Sequence, residues 1–184
     1  MRVKFFFIFV FFLLIQTAQA EDDIMILKLK DGDVVIELYS EMAPNHVERI
    51  KKLVQEKKYD GVVFHRVIEG FMAQTGDVEF GNSNSENFDV NKAGTGGSEY
   101  PDLKAEFNDA PHERGTLSMA RTNDPDTANS QFFICFKAAP FLDRQYTVFG
   151  KVVKGMEFVD LIKRGQGSNG EVSKPDKIIS LSIK

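Results

Sequence analysis

One stretch of the 184-residue chain sets unlike groups side by side. Phe64–Asp77 reads FHRVIEGFMAQTGD. It places one arginine, Arg66, and one glutamine, Gln74, in an apolar run that also carries Phe71 and Met72. A guanidinium is permanently charged and donates hydrogen bonds without accepting any. Beside Phe and Met, with an amide close by, it suits an apolar pocket holding a few aimed polar groups, the usual form of a binding site. The other reading is a half-buried strand with Arg66 on its wet face. The stretch alone leaves both open.

The rest of the chain offers little conventional catalytic chemistry. The three histidines, His46, His65 and His112, fall in a helix, a strand and a loop with no metal-ligand spacing. No Gly-x-Ser-x-Gly elbow is present. Carboxylates are scattered, and no pair is marked for acid–base work. Cys135 is the only cysteine and sits in the apolar run Phe132–Phe136, so it reads as a buried thiol rather than a nucleophile. Gly94-Thr95-Gly96-Gly97 lacks the Lys-Ser/Thr ending of a phosphate loop and reads as backbone that lets a ligand approach closely. A site of Arg, Gln and aromatics binds. It catalyses only a reaction that needs neither proton transfer nor a nucleophile.

The elements that must hold these residues are mostly strands. Ile24–Tyr39 alternates in period two on both sides of Asp31-Gly32, which predicts a hairpin. Ala43-Pro44 opens a helix with Val47, Ile50, Leu53 and Val54 on one face. Val62–Val67 starts a strand, and residues 78–100 form a long polar loop. Strands are predicted at Leu103–Phe107, Gly115–Ala120, Ser130–Phe136, Tyr146–Val153 and Lys177–Ile183. A second helix is predicted over Gly155–Arg164, with Met156, Phe158, Val159, Leu161 and Ile162 on its buried side. Many short strands with two helices point to an antiparallel sandwich or barrel in one domain.

Residues 1–20 read as an export leader. Met1–Lys4 is a basic start, Phe5–Ile15 is an apolar run too short to span a bilayer, and Ala18-Gln19-Ala20 is a cleavage site. A mature domain over 21–184 is therefore expected, with no stable membrane insertion after cleavage. Setting aside Arg2 and Lys4 leaves 21 basic residues (23 − 2) against 27 acidic, a net charge of −6. That excludes nucleic acid as a natural partner and suits a soluble monomer. The expected destination is the periplasm, with secretion or a secretory lumen as alternatives. The ending Leu181-Ser182-Ile183-Lys184 carries no KDEL-type signal.

Five segments carry a resemblance. FHRVIEGFMAQTGD, GTGGSEYPDLKAEF, GTLSMAR, SQFFICF and FLDRQYTVFGKVVKGMEFVD together resemble the cyclophilin family of peptidyl-prolyl cis–trans isomerases, in order, from about Ile24 to Lys184. The resemblance implies a mainly β fold: a closed eight-stranded antiparallel β-barrel capped by two α-helices, with no metal and no cofactor. It implies isomerisation of X-Pro bonds in unfolded or folding proteins, here exported ones. The alternative is a peptide-binding chaperone or scaffold whose isomerase activity is incidental. Arg66 takes the position of the family's catalytic arginine, with Phe71 and Gln74 beside it in the reaction site. Met72, Phe133 and Leu142 complete a proline pocket with Phe71. Gln74 bonds the substrate backbone, and Gln131, Ala120 and Gly94 line the groove. Arg121 stands where the family typically has asparagine, whose backbone contacts the residue before proline. Phe141 stands where larger members carry tryptophan, which predicts weak cyclosporin binding because Phe lacks the indole N–H. Tyr146 replaces a rim histidine. The 78–93 loop is longer than in compact members.

Overall fold

The computed structural model of the protein describes residues 23–184. The leader expected over 1–20 lies outside them. β1 (Ile24–Leu29) and β2 (Gly32–Leu38) form the expected antiparallel hairpin. Alternation sends Met25, Leu27 and Leu29, with Val34, Ile36 and Leu38, to the interior. Leu29 lies opposite Gly32, so the turn residues are Lys30 and Asp31, one position earlier than the predicted Asp31-Gly32. Gly32 stays in the ladder, where a Cβ would come within 2.5 Å of the Phe158 ring. α1 (Pro44–Gln55) starts on its proline and buries Val47, Ile50, Leu53 and Val54. It packs against the last strand.

The other strands are short: β3 (Arg66–Ile68), β4 (Met72–Thr75), β5 (Thr116–Met119), β6 (Phe132–Cys135), β7 (Val148–Lys154) and β8 (Ser180–Ile183). All pair antiparallel in one sheet of order β3-β4-β6-β5-β7-β2-β1-β8. The sheet curls into a half-barrel. It is not closed by a ladder as predicted, because β3 and β8 do not lie side by side. The segments just before them bridge the seam instead. Gly61 N donates to Ile178 O at 2.8 Å, Phe64 N to Asp176 O at 2.9 Å, and Val172 N to His65 O at 3.1 Å.

Two further expectations are corrected. Leu103–Phe107 is not a strand: Leu103 makes one bridge to Ala128, and Phe107 is exposed. The second helix, α2 (Met156–Val159), is shorter than predicted. Beyond it the backbone bonds tighten, with Leu161 N donating to Phe158 O and Ile162 N to Val159 O, which turns Leu161 out to solvent.

β6 shows how one sheet serves two purposes. Phe132 and Ile134 face inward, where Phe132 meets Tyr59 and Phe149 edge-on at 5.7 and 5.8 Å between ring centroids. Phe133 and Cys135 face the other way and form a second apolar cluster with Met72, Ala139 and Leu142. The interior is filled by side chains, so a ligand must bind outside it, and the outer face of β4 and β6 carries this second apolar cluster.

Candidate active site

Register puts the functional side chains in rows on that outer face. Arg66 lies opposite Gln74, Gln74 opposite Phe133, and Phe133 opposite Ser118, across β3, β4, β6 and β5. The next row sets Ile68 opposite Met72 and Met72 opposite Cys135. Cross-strand partners sit within about 5.5 Å, so each row is a contact line. One row is polar at its β3 end and aromatic at its centre. The neighbouring row is apolar throughout.

The polar groups form a directed chain. Arg66 can only donate, so its Nη1 bonds Gln74 Oε1, at 3.1 Å. The Gln74 amide is thereby oriented, and its Nε2 donates to Gln131 Oε1 at 3.0 Å. Gln131 Nε2 in turn donates to the carbonyls of Gly94 and Gly96, at 3.0 and 2.8 Å. On the other side Arg66 Nε donates to Asn169 O at 2.9 Å. Nη2 has no acceptor among the described residues. Arg66 is half-buried, and desolvation lowers its pKa from the ordinary value. Its ordinary value is high enough that it stays charged at neutral pH.

Every residue expected at the site is brought to this face. Met72, Phe133 and Leu142 are buried in the outer cluster, and Phe71, Ala120 and Tyr146 pack against it. Tyr146 meets Phe133 edge-on at 5.9 Å. Phe141, on a 3₁₀ turn (Pro140–Leu142), lies 5.6 Å from Phe71 and is 64% exposed, an open wall rather than a floor. Arg121 is held at the rim by its side chain. Its guanidinium lies 4.3 Å from the Tyr146 ring centre and bonds Gln145 O, which straps the two sides of the rim together. Beside the apolar cluster runs a cleft of about 440 Å³ lined by Gln74, Gly94, Ala120, Arg121, Asn129 and Gln131. Gly94 has φ +102°, and a Cβ there would come within 2.7 Å of the His65 ring, so no other residue fits.

Some contributors were not anticipated. Asn169 acts through its carbonyl from an irregular loop, which no side-chain pattern signals. Cys135 backs the pocket, and alternation from Phe133 was the available signal; burial pushes its thiol up to about 12, so it is inert. Ser118, His112 and Asp143 form a hydrogen-bonded line, with His112 Nε2 3.0 Å from Ser118 Oγ and Nδ1 2.9 Å from Asp143 Oδ1. It is not hydrolytic machinery. Ser118 is fully buried and also bonds Thr147 O. The His112 ring stacks on Phe133 at 6.2 Å and supports the pocket from behind.

Residues 24–183 match the family described as cyclophilin type peptidyl-prolyl cis-trans isomerase/CLD. The chain is 60% identical over 173 residues to a protein of Brucella suis named "Probable peptidyl-prolyl cis-trans isomerase", covering 92% of this chain and 88% of that one. It is 41% identical over 152 residues to peptidyl-prolyl cis-trans isomerase B of Bacillus subtilis, covering 82% and 94%. Among solved structures it resembles a cyclophilin-type isomerase of Cryptosporidium parvum determined in the presence of the dipeptide Ala-Pro. The TM-score is 0.74 at 25% identity, over 88% of this chain and 98% of that one. The chain belongs to the cyclophilin-type family and is a peptidyl-prolyl cis–trans isomerase.

His65 yields a pH prediction. It is buried under Gly94, and burial pulls its pKa down to about 4, against an opposing pull from the Asp77 carboxylate. Above the unfolded value of 6.5 the ring is neutral in both states and contributes nothing to pH dependence. As pH falls from 6.5 towards 4, the unfolded chain takes a proton that the folded one resists, so stability drops, by up to about 3 kcal/mol. Urea melts at pH 7.5 and pH 4.5 will show a smaller loss for His65→Gln than for wild type. An equal loss would remove His65 from the account.

Proposed function

We propose that Arg66 catalyses X-Pro isomerisation by donating a hydrogen bond to the prolyl nitrogen as the bond twists. Conjugation of the nitrogen lone pair with the carbonyl sets a barrier of about 18–20 kcal/mol, and uncatalysed exchange takes tens to hundreds of seconds. In the twisted state conjugation is lost and the nitrogen gains a localised lone pair. The planar ground state offers no such acceptor, so the bond forms only where it lowers the barrier. The observation that carries this reading is the Nη2 of a half-buried arginine, which has no acceptor among the described residues while Nε and Nη1 are already fixed by Asn169 O and Gln74 Oε1.

The other roles follow from the same arrangement. Met72, Phe133 and Leu142, with Phe71, hold the proline ring while the rest of the amide turns. Gln74 orients the flanking backbone, with Gln131, Ala120, Gly94 and the Arg121 backbone along the cleft. Tyr146 and Phe141 form the rim. The substrates are proline-containing segments of exported proteins, and the export segment at 1–20 supports a periplasmic site of action. N-terminal sequencing of the protein from the envelope fraction will read from Glu21. A chain retaining Met1 in the cytosol would contradict export.

Arg66→Ala will lower kcat/KM for an X-Pro tetrapeptide at least tenfold, about 1.4 kcal/mol, with the melting temperature little changed. Near wild-type turnover would remove Arg66 from catalysis. Cyclosporin will inhibit only weakly, because Phe141 is exposed and lacks an N–H donor. Phe141→Trp will tighten it. Nanomolar inhibition of the wild type would overturn this.

A further inference from the structure

The glycine-rich stretch Gly94–Gly97 is held from two sides. Asp77, the residue that ends the FHRVIEGFMAQTGD stretch, is fully buried. Its Oδ1 accepts from the backbone N–H of Glu79 and Phe80, at 3.0 and 2.9 Å. Its Oδ2 accepts from those of Gly94 and Gly96, at 2.7 and 2.9 Å. One carboxylate therefore ties the first turn of the long loop to its end, with no side-chain cation among the described residues to share it. The approach is close: a Cβ on Gly96 would come within 2.6 Å of Asp77 Oδ1. The backbone that glycine frees for close contact meets this carboxylate.

The same two glycines offer their carbonyls to Gln131 Nε2. Gln131 orients Gln74, and Gln74 orients Arg66. We propose that Asp77 is a positioning residue for isomerisation: by fixing Gly94 and Gly96 it sets the Gln131 amide, and through Gln131 and Gln74 the plane of the Arg66 guanidinium. The proposal rests on the catalytic role given to Arg66. It also gives the 78–93 loop a part in the reaction, since that loop is closed by the same carboxylate.

Asp77→Asn tests it. Asn keeps the size and one acceptor oxygen but puts an NH₂ against one pair of backbone donors, so half the tie is lost. The expected result is a fall in kcat/KM of about fivefold, a size coupled networks transmit. The fall is carried by kcat rather than KM, and the Arg66 Nε–H resonance shifts. In a Gln131→Met background, where the chain of bonds is already cut, the added Asp77→Asn costs less than about twofold. The same loss in both backgrounds overturns the proposal, because Asp77 then acts outside the chain. If Asp77→Asn does not fold, Gln131→Met alone decides: an unmoved Arg66 Nε–H resonance and an unchanged kcat overturn it. Arg66→Ala separates the two claims. Full activity in Arg66→Ala sinks the catalytic reading beneath, whereas an impaired Arg66→Ala beside a fully active Asp77→Asn sinks only this inference.

Discussion

The hydrogen bond from Arg66 Nη1 to Gln74 Oε1 orders everything around it. An arginine held half out of water must find acceptors, and it cannot reverse its role as donor. That fixes which end of the Gln74 amide faces it. The direction then runs through Gln131 to two backbone carbonyls without a free choice at any step. Sheet register makes the chain possible. Arg66 and Gln74 are direct cross-strand partners, so a slip of one residue would send them to opposite faces.

The apolar half of the site depends on the same alternation. Phe133 and Met72 point outward only because Phe132 and Ala73 fill the interior. The half-barrel is packed within, and the candidate site lies on its outer face. A small ring held against Phe133 and Met72 is shielded from water on one side, and there a hydrogen bond from Arg66 is stronger than in bulk solvent. No proton need move and no covalent bond need form, which fits a face whose polar groups include guanidiniums and amides and whose thiol is inert. The Ser118–His112–Asp143 line has the residue types of a hydrolase, but burial turns it into a support for Phe133.

Much of this was legible in the sequence, and the reasons differ by element. The first hairpin and α1 show clear periods of two and of about three and a half, so both were readable. α2 was read too long because its apolar residues include Leu161, which local backbone turns leave in solvent. Leu103–Phe107 looked like a strand yet lacks a neighbour to pair with beyond one bridge. The closed barrel, expected from the family resemblance, failed at the β3–β8 seam, where backbone from irregular segments replaces strand pairing. Arg66, Gln74 and the aromatics could be named as candidates from the sequence because side-chain identity carries their chemistry. Asn169 and the Asp77 tie are not legible there, because Asn169 acts through its own carbonyl and the Asp77 carboxylate meets only backbone N–H groups, whose positions residue type does not reveal.

The central claim is that Arg66 acts on the twisted bond and not on the resting peptide. Exchange NMR of a saturating X-Pro peptide on the enzyme separates the two, since it reads the on-enzyme cis–trans rate and the dissociation constant in one experiment. For Arg66→Ala the account predicts an on-enzyme rate at least tenfold slower, about 1.4 kcal/mol, with the dissociation constant changed by less than about threefold. An unchanged on-enzyme rate with binding weakened tenfold would show that Arg66 holds the ground state, and would contradict it.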